Sequence, residues 1–211
     1  MKRIPNLPMK TQLALYLTLV LSLAVPAQEL RSQLPPDPIA TVLKARLMEL
    51  DRDGQFHPQR VISRAELATI LVRTFQLQRR LRTVNIPVKD VPRNHWAYDS
   101  IQVVLRTGVM RGYDQGLFYP NQRINRAEAI ASFANAYGVF QFSDATVAEI
   151  LAPYPDAKEI PPWARRAVAT ALYEGLVDVD EQKRLRPLAP MTRLDMAKLL
   201  SLYLSLRENR P

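Results

Sequence analysis

Three short segments of this chain share one order of residue types: Ile62-Ser63-Arg64-Ala65-Glu66, Ile124-Asn125-Arg126-Ala127-Glu128 and Met191-Thr192-Arg193-Leu194-Asp195. Each reads apolar, cap, Arg, apolar, acid. A proline precedes each Arg at one fixed offset (Pro58, Pro120, Pro187), and an apolar residue stands two positions before that proline (Phe56, Phe118, Leu185). In the last two copies a glycine also keeps a constant distance from the Arg (Gly108, Gly175), and so does a tryptophan (Trp96, Trp163). The interval from Arg64 to Arg126 is nearly that from Arg126 to Arg193. Self-similarity at a near-constant period is the signature of a repeat architecture, in which no unit buries its apolar face alone.

Local physics accounts for the pattern. Ser63, Asn125 and Thr192 are good helix N-caps, and Glu66, Glu128 and Asp195 stand three positions on, where an acid reaches back to the cap. Asp195 is shorter than Glu, so the third cap is expected to be the weakest. From each Arg, apolar residues follow on one helical face: Leu67, Ala68, Leu71 and Phe75; Ala129, Ile130, Phe133 and Tyr137; Met196, Ala197, Leu200 and Leu204. An earlier helix is expected from about Trp96 to Thr107 and from about Trp163 to Glu174, each ending at a glycine free to adopt the left-handed cap. In the first copy, where Leu34 takes the place of the Trp, a helix from about Ile39 to Leu50 fills the same role. Trp96 and Trp163, beside Ala97 and Ala164, read as core plugs. Phe118 is expected to pin the irregular loop Arg111–Pro120. A short helix is expected after Ser143.

Residues 1–27 are set apart. Basic Lys2, Arg3 and Lys10, an apolar run from Leu13 to Val25 and the small pair Val25 and Ala27 describe a secretory signal peptide cut before Gln28, with an uncleaved anchor as the alternative. The run is shorter than the roughly 18 residues a spanning helix needs, so no transmembrane span is expected after cleavage. The chain has no cysteine, which excludes a lipid-anchored lipoprotein, a disulfide framework and a thiolate metal site. Its formal charge is +9, and removing Lys2, Arg3 and Lys10 leaves +6. Export removes nucleic acid as the partner of that charge and leaves anionic wall polymers or lipid head groups. The expected division is signal peptide 1–27 and repeats 28–82, 83–143 and 144–211.

Together, Asp90-Val91-Pro92, His95-Trp96-Ala97, Gly108, Gly112, Asp114, Gly116, Phe118, Pro120 and Ile124 to Glu128 resemble the S-layer homology repeat. The middle copy matches most fully; the third keeps Pro-Trp-Ala, Gly175, Pro187 and a relaxed cap motif, and the first mainly its second half. The resemblance implies an all-α fold of three helix-loop-helix repeats in a pseudo-threefold arrangement around a central three-helix bundle. It also implies inter-lobe grooves that hold an anionic, wall-linked polysaccharide, often carrying pyruvate ketals. Carried over residue by residue, the groove-facing arginine of the family's motif is Arg64, Arg126 and Arg193, with Arg126 favoured because its copy is the most complete. An arginine at a helix N-terminus opposes the helix dipole, which suits an anionic partner. The same arginine equally serves to link lobes by pairing with an acid of the neighbouring copy. Gly112, Asp114 and Gly116 either line a groove or form a tight turn.

Catalysis finds little support. The two histidines, His57 and His95, do not cluster, no cofactor motif is present, and Asp51-Arg52-Asp53-Gly54 lacks the spaced acid of a calcium loop and reads as a turn. The rival class is an envelope adaptor or scaffold that contacts another protein, through basic connectors such as Arg79-Arg80-Leu81-Arg82, and no longer binds glycan.

Overall fold

A computed structural model describes residues 37–80 and 85–208. The signal-peptide reading, the segment around Leu34, and Leu81 and Arg82 lie outside the described residues.

Seven α-helices occupy the described residues: α1 (Pro38–Lys44), α2 (Arg64–Phe75), α3 (Tyr98–Arg106), α4 (Arg126–Tyr137), α5 (Asp144–Leu151), α6 (Arg165–Tyr173) and α7 (Arg193–Glu208). Among the described residues, extended pairing is confined to isolated bridges. The motif arginine opens α2, α4 and α7. Ser63 and Asn125 accept the N–H groups of Glu66 and Glu128, whose carboxylates accept the cap N–H in return. Asp195 closes the same box despite its length. The Thr192 N–H reaches its carboxylate at 3.1 Å, against 3.2 Å for the Asn125 N–H to Glu128, because the Thr192 hydroxyl also donates to it at 2.6 Å. Ser143 caps α5 as its sequence suggests.

The earlier helices begin later than the periodicity predicts. α3 starts at Tyr98 and α6 at Arg165, with a 3-10 turn over Pro162–Ala164 before α6. α1 stops at Lys44 rather than near Leu50, and the reason lies in the repeat itself. Gly108 and Gly175 both take φ +70°, and Arg46, at the same register relative to its own motif arginine, takes φ +56°. The first copy therefore uses the same left-handed helix stop without a glycine.

The copies interlock in a cycle. The Ile62 N–H donates to the Met191 carbonyl at 3.0 Å, Met191 to Ile124 at 2.9 Å, and Ile124 to Ile62 at 3.3 Å. Just beyond, the N–H of Arg64 donates to Gln122, that of Arg126 to Ala189 and that of Arg193 to Arg60. The second helix of each copy packs on the first helix of the next: α2 on α3, α4 on α6 and α7 on α1. The opposite ends of α2, α4 and α7 meet through Phe75, Phe133 and Tyr203, whose ring centroids lie 5.0 to 5.5 Å apart. Such edge-on aromatic pairs add to plain burial. One continuous apolar core results, running through all three copies. No helix among the described residues is long and apolar enough to cross a membrane.

Candidate functional site

The motif arginines do not project into solvent; Arg64, Arg126 and Arg193 are 7%, 1% and 5% exposed. Each reaches into the loop of the next copy. Arg64 Nε donates to the Phe118 carbonyl and Nη2 to the Arg111 carbonyl, both at 2.8 Å. Arg126 donates to Leu185 at 2.9 Å and Asp178 at 3.0 Å, and Arg193 to Phe56 at 2.6 Å and to Glu49. The acceptors hold equivalent registers before the next motif arginine: Phe56, Phe118 and Leu185 in one set, Glu49, Arg111 and Asp178 in the other. Phe118 and Phe56 also lay their rings against the guanidinium of Arg64 and Arg193, at 4.6 and 4.4 Å. Phe118 is fully buried, as its pinning role requires.

The three seams differ in charge. Arg126 forms ion pairs with Asp178 at 3.1 Å and Asp195 at 2.9 Å, and Lys198 also holds Asp178, at 3.1 Å. Burial pushes the Asp178 carboxyl up, but Arg126 and Lys198 outweigh it and hold the group below the ordinary carboxylate range. Arg193 lies 3.7 Å from Asp51 and 3.9 Å from Glu66, and an Arg73–Glu49 pair within the first copy, at 2.7 Å, holds the residue whose carbonyl Arg193 also reaches. The Arg64 seam has neither arrangement. At the register of Glu49 and Asp178 it carries Arg111, and opposite, where the first copy has Arg73, it carries Asn135. Among the described residues neither Arg64 nor Arg111 forms an ion pair. Burial lowers the pKa of Arg64, as it does that of Arg193, with Tyr113, Glu128 and Asp90 offsetting part of it at Arg64.

A cleft of about 780 Å³ opens at this seam, lined among others by Arg64, Arg111, Gly112, Ser132, Asn135 and Trp163. It continues past Asn135 and Trp163 into a second cavity of about 530 Å³ bounded by Arg165 and Arg166. Gly112 lines the cleft, and a Cβ there would lie 3.0 Å from the Leu117 carbonyl oxygen, so the close approach of that backbone requires a glycine. The equivalent positions are Leu50 and Val179. Asp114 and Gly116 are exposed and do not line the cleft; they form a 3-10 turn with Gly116 at φ +75°, its carbonyl accepting the Lys89 N–H. Asp51 to Gly54 is likewise a turn, closed by the Gly54 N–H on the Asp51 carbonyl.

The tryptophans correct the sequence reading. Trp96 and Trp163 are each 64% exposed, while Ala97 and Ala164 behind them are buried at 1% and 0%. The helices start just after these alanines, so the indole sits on the outer side of the entering turn. Trp163 thus becomes a cleft wall.

The S-layer homology domain family matches residues 35–68, 88–130 and 153–197, more than half of the chain and each copy in turn. The chain belongs to the S-layer homology family. Among its relatives, the surface-layer 125 kDa protein of Lysinibacillus sphaericus is 30% identical over 77% of this chain and 13% of its own length. The cellulosome-anchoring protein of Acetivibrio thermocellus is 33% identical over 70% of this chain and 33% of its own. An endoglucanase of a Bacillus species is 29% identical over 71% of this chain but only 15% of its own length. The chain thus spans a third or less of these relatives, and the enzymes among them share the anchoring repeats with it. As an S-layer homology protein it is exported and acts in attachment at the cell surface.

For this S-layer homology chain the motif arginines were legible in the sequence, and the residue that distinguishes the seams was not. That residue holds one register before each motif arginine and reads Glu49, Arg111 and Asp178. Its alternating sign was the available signal, and it lies in the least alike part of the copies.

Proposed function

We propose that the protein attaches non-covalently to the cell wall by binding an anionic, carboxylate-bearing wall-linked polysaccharide, such as a pyruvylated one, in the cleft at the Arg64 seam, without catalysis. One observation carries the reading. Arg126 and Arg193 lie within ion-pair distance of carboxylates of the next copy, whereas the Arg64 seam buries its cation without a paired acid, adds Arg111 beside it and opens into a cleft. A planar guanidinium suits a carboxylate. Exposed Trp163 supplies an aromatic wall against which a sugar ring stacks. Arg126, at 1% exposure, belongs to lobe linkage, and the same linkage by Arg64 leaves its cleft-side edge for the ligand. The cellulosome-anchoring relative supports an attachment role by name.

The test is co-sedimentation of the mature chain with wall sacculi before and after removal of the linked polysaccharide, alongside Arg111→Asp, which installs the third copy's residue. Binding that requires the polymer and is lost in Arg111→Asp at unchanged melting temperature supports the cleft. Binding that survives stripping sinks it. The alternative, an envelope adaptor role, draws on a different feature, the surface ring cluster of Phe140, Phe142 and Tyr173, with Tyr173 45% exposed.

A further inference from the structure

The loop of the middle copy carries a second concavity, about 660 Å³, lined by Asp90, Tyr113, Tyr119, Pro120, Asn121 and Gln122. Tyr113 and Tyr119 stand edge to face, 5.1 Å between centroids at 66°, and are 42% and 45% exposed. Tyr113 belongs to both concavities; the Arg64 guanidinium lies 4.7 Å from its ring centroid on the cleft side. The two spaces therefore share the Tyr113 ring as a wall.

The fold does not ask for these tyrosines. The first copy builds the same cradle from Asp51, His57, Pro58, Gln59 and Arg60. The left-handed backbone at Tyr119, φ +55°, recurs at His57 (+49°) and Arg186 (+52°), so it belongs to the loop and not to the residue type. No arginine or lysine lines the space, and the Asp90 carboxylate already accepts the Phe118 and Tyr119 N–H groups at 2.9 and 2.6 Å. The chemistry on offer is an aromatic face with two exposed amides, Asn121 and Gln122. That set suits an uncharged pyranose, whose C–H face covers a ring while its hydroxyls meet amides.

The geometry points to a second sugar subsite on the Tyr113–Tyr119 ledge, taking a neutral pyranose unit of the same polymer whose anionic unit lies beside Arg64. This rests on the cleft reading above. Tyr119→Asn keeps a residue that tolerates the left-handed backbone and removes the ring. With intact sacculi as the probe, we expect it to weaken binding about fivefold, the scale of one aromatic contact, with the salt dependence unchanged. Tyr119→Phe should bind as the native chain does. Arg111→Asp should weaken binding and flatten its salt dependence. Unchanged binding in Tyr119→Asn, or loss in Tyr119→Phe, overturns the ledge while Arg111→Asp still reports on the cleft. If neither Arg111→Asp nor Tyr119→Asn alters binding, both sites fall together.

Discussion

Arg126 and Asp195 lie in the first turns of equivalent helices in successive copies, and their side chains meet at 2.9 Å with 2% and 11% of their surfaces exposed. Asp195 thus serves two structures at once, capping α7 and anchoring α4. A pair buried this deeply, with Asp178 as a third member, does not tolerate loss of one partner.

Arg126→Met should therefore destabilise the fold by about 3–5 kcal/mol, since it leaves two buried carboxylates behind. Arg64→Met should cost less, because no paired acid is orphaned. Denaturant unfolding of both variants checks the order; equal losses would mean that the carbonyl contacts dominate.

Acid should weaken the fold through Asp178 and Glu66. Burial pushes both carboxyls up, yet Arg126 and Lys198 in one case and Arg60 in the other hold them below the ordinary range. A depressed folded pKa gives stability that is complete above the unfolded value, about 4, and is lost as pH falls through the lower folded value. Melting temperature should hold level from pH 7 to about 5 and then drop. In Arg126→Met this acid-side drop should shrink.

How much of this was legible follows from where each signal lay. The caps, the helix stops at Gly108 and Gly175 and the burial of Phe118 rest on local chemistry, and local chemistry is written in spacing. The position of Trp163 depends on where the chain turns before α6, and a helix that starts two residues later leaves that side chain off the buried face. The charges at Arg111 and Asp178 have meaning only across a seam, opposite residues 47 and 52 positions away in sequence.

Trp163→Ala and Trp96→Ala should each alter stability by no more than about 0.5 kcal/mol, as surface substitutions do. They should part company in wall binding. Trp163 lines the cleft, so its loss should reduce pelleting with sacculi while loss of Trp96 leaves it unchanged.

Arg46→Gly should stabilise the first copy. A side chain held at φ +56° carries about 1 kcal/mol of strain that glycine does not, and the other two copies use glycine there. A rise in melting temperature of about 3 °C is expected. No change would mean that the Arg46 side chain compensates its own backbone.

The contact that completes the cycle joins Arg193 to Glu49, 144 positions earlier in the chain. A linear stack of repeats can begin folding at either end and lose an end unit with little harm. A closed one cannot. Its first copy has no partner for α1 or for the Phe56 carbonyl until the last copy has been made, so deleting any single copy opens two seams rather than one. Closure by so distant a contact also carries a large loop entropy, which favours its forming late in folding. The core of the first copy is thus completed only by the last helix, α7.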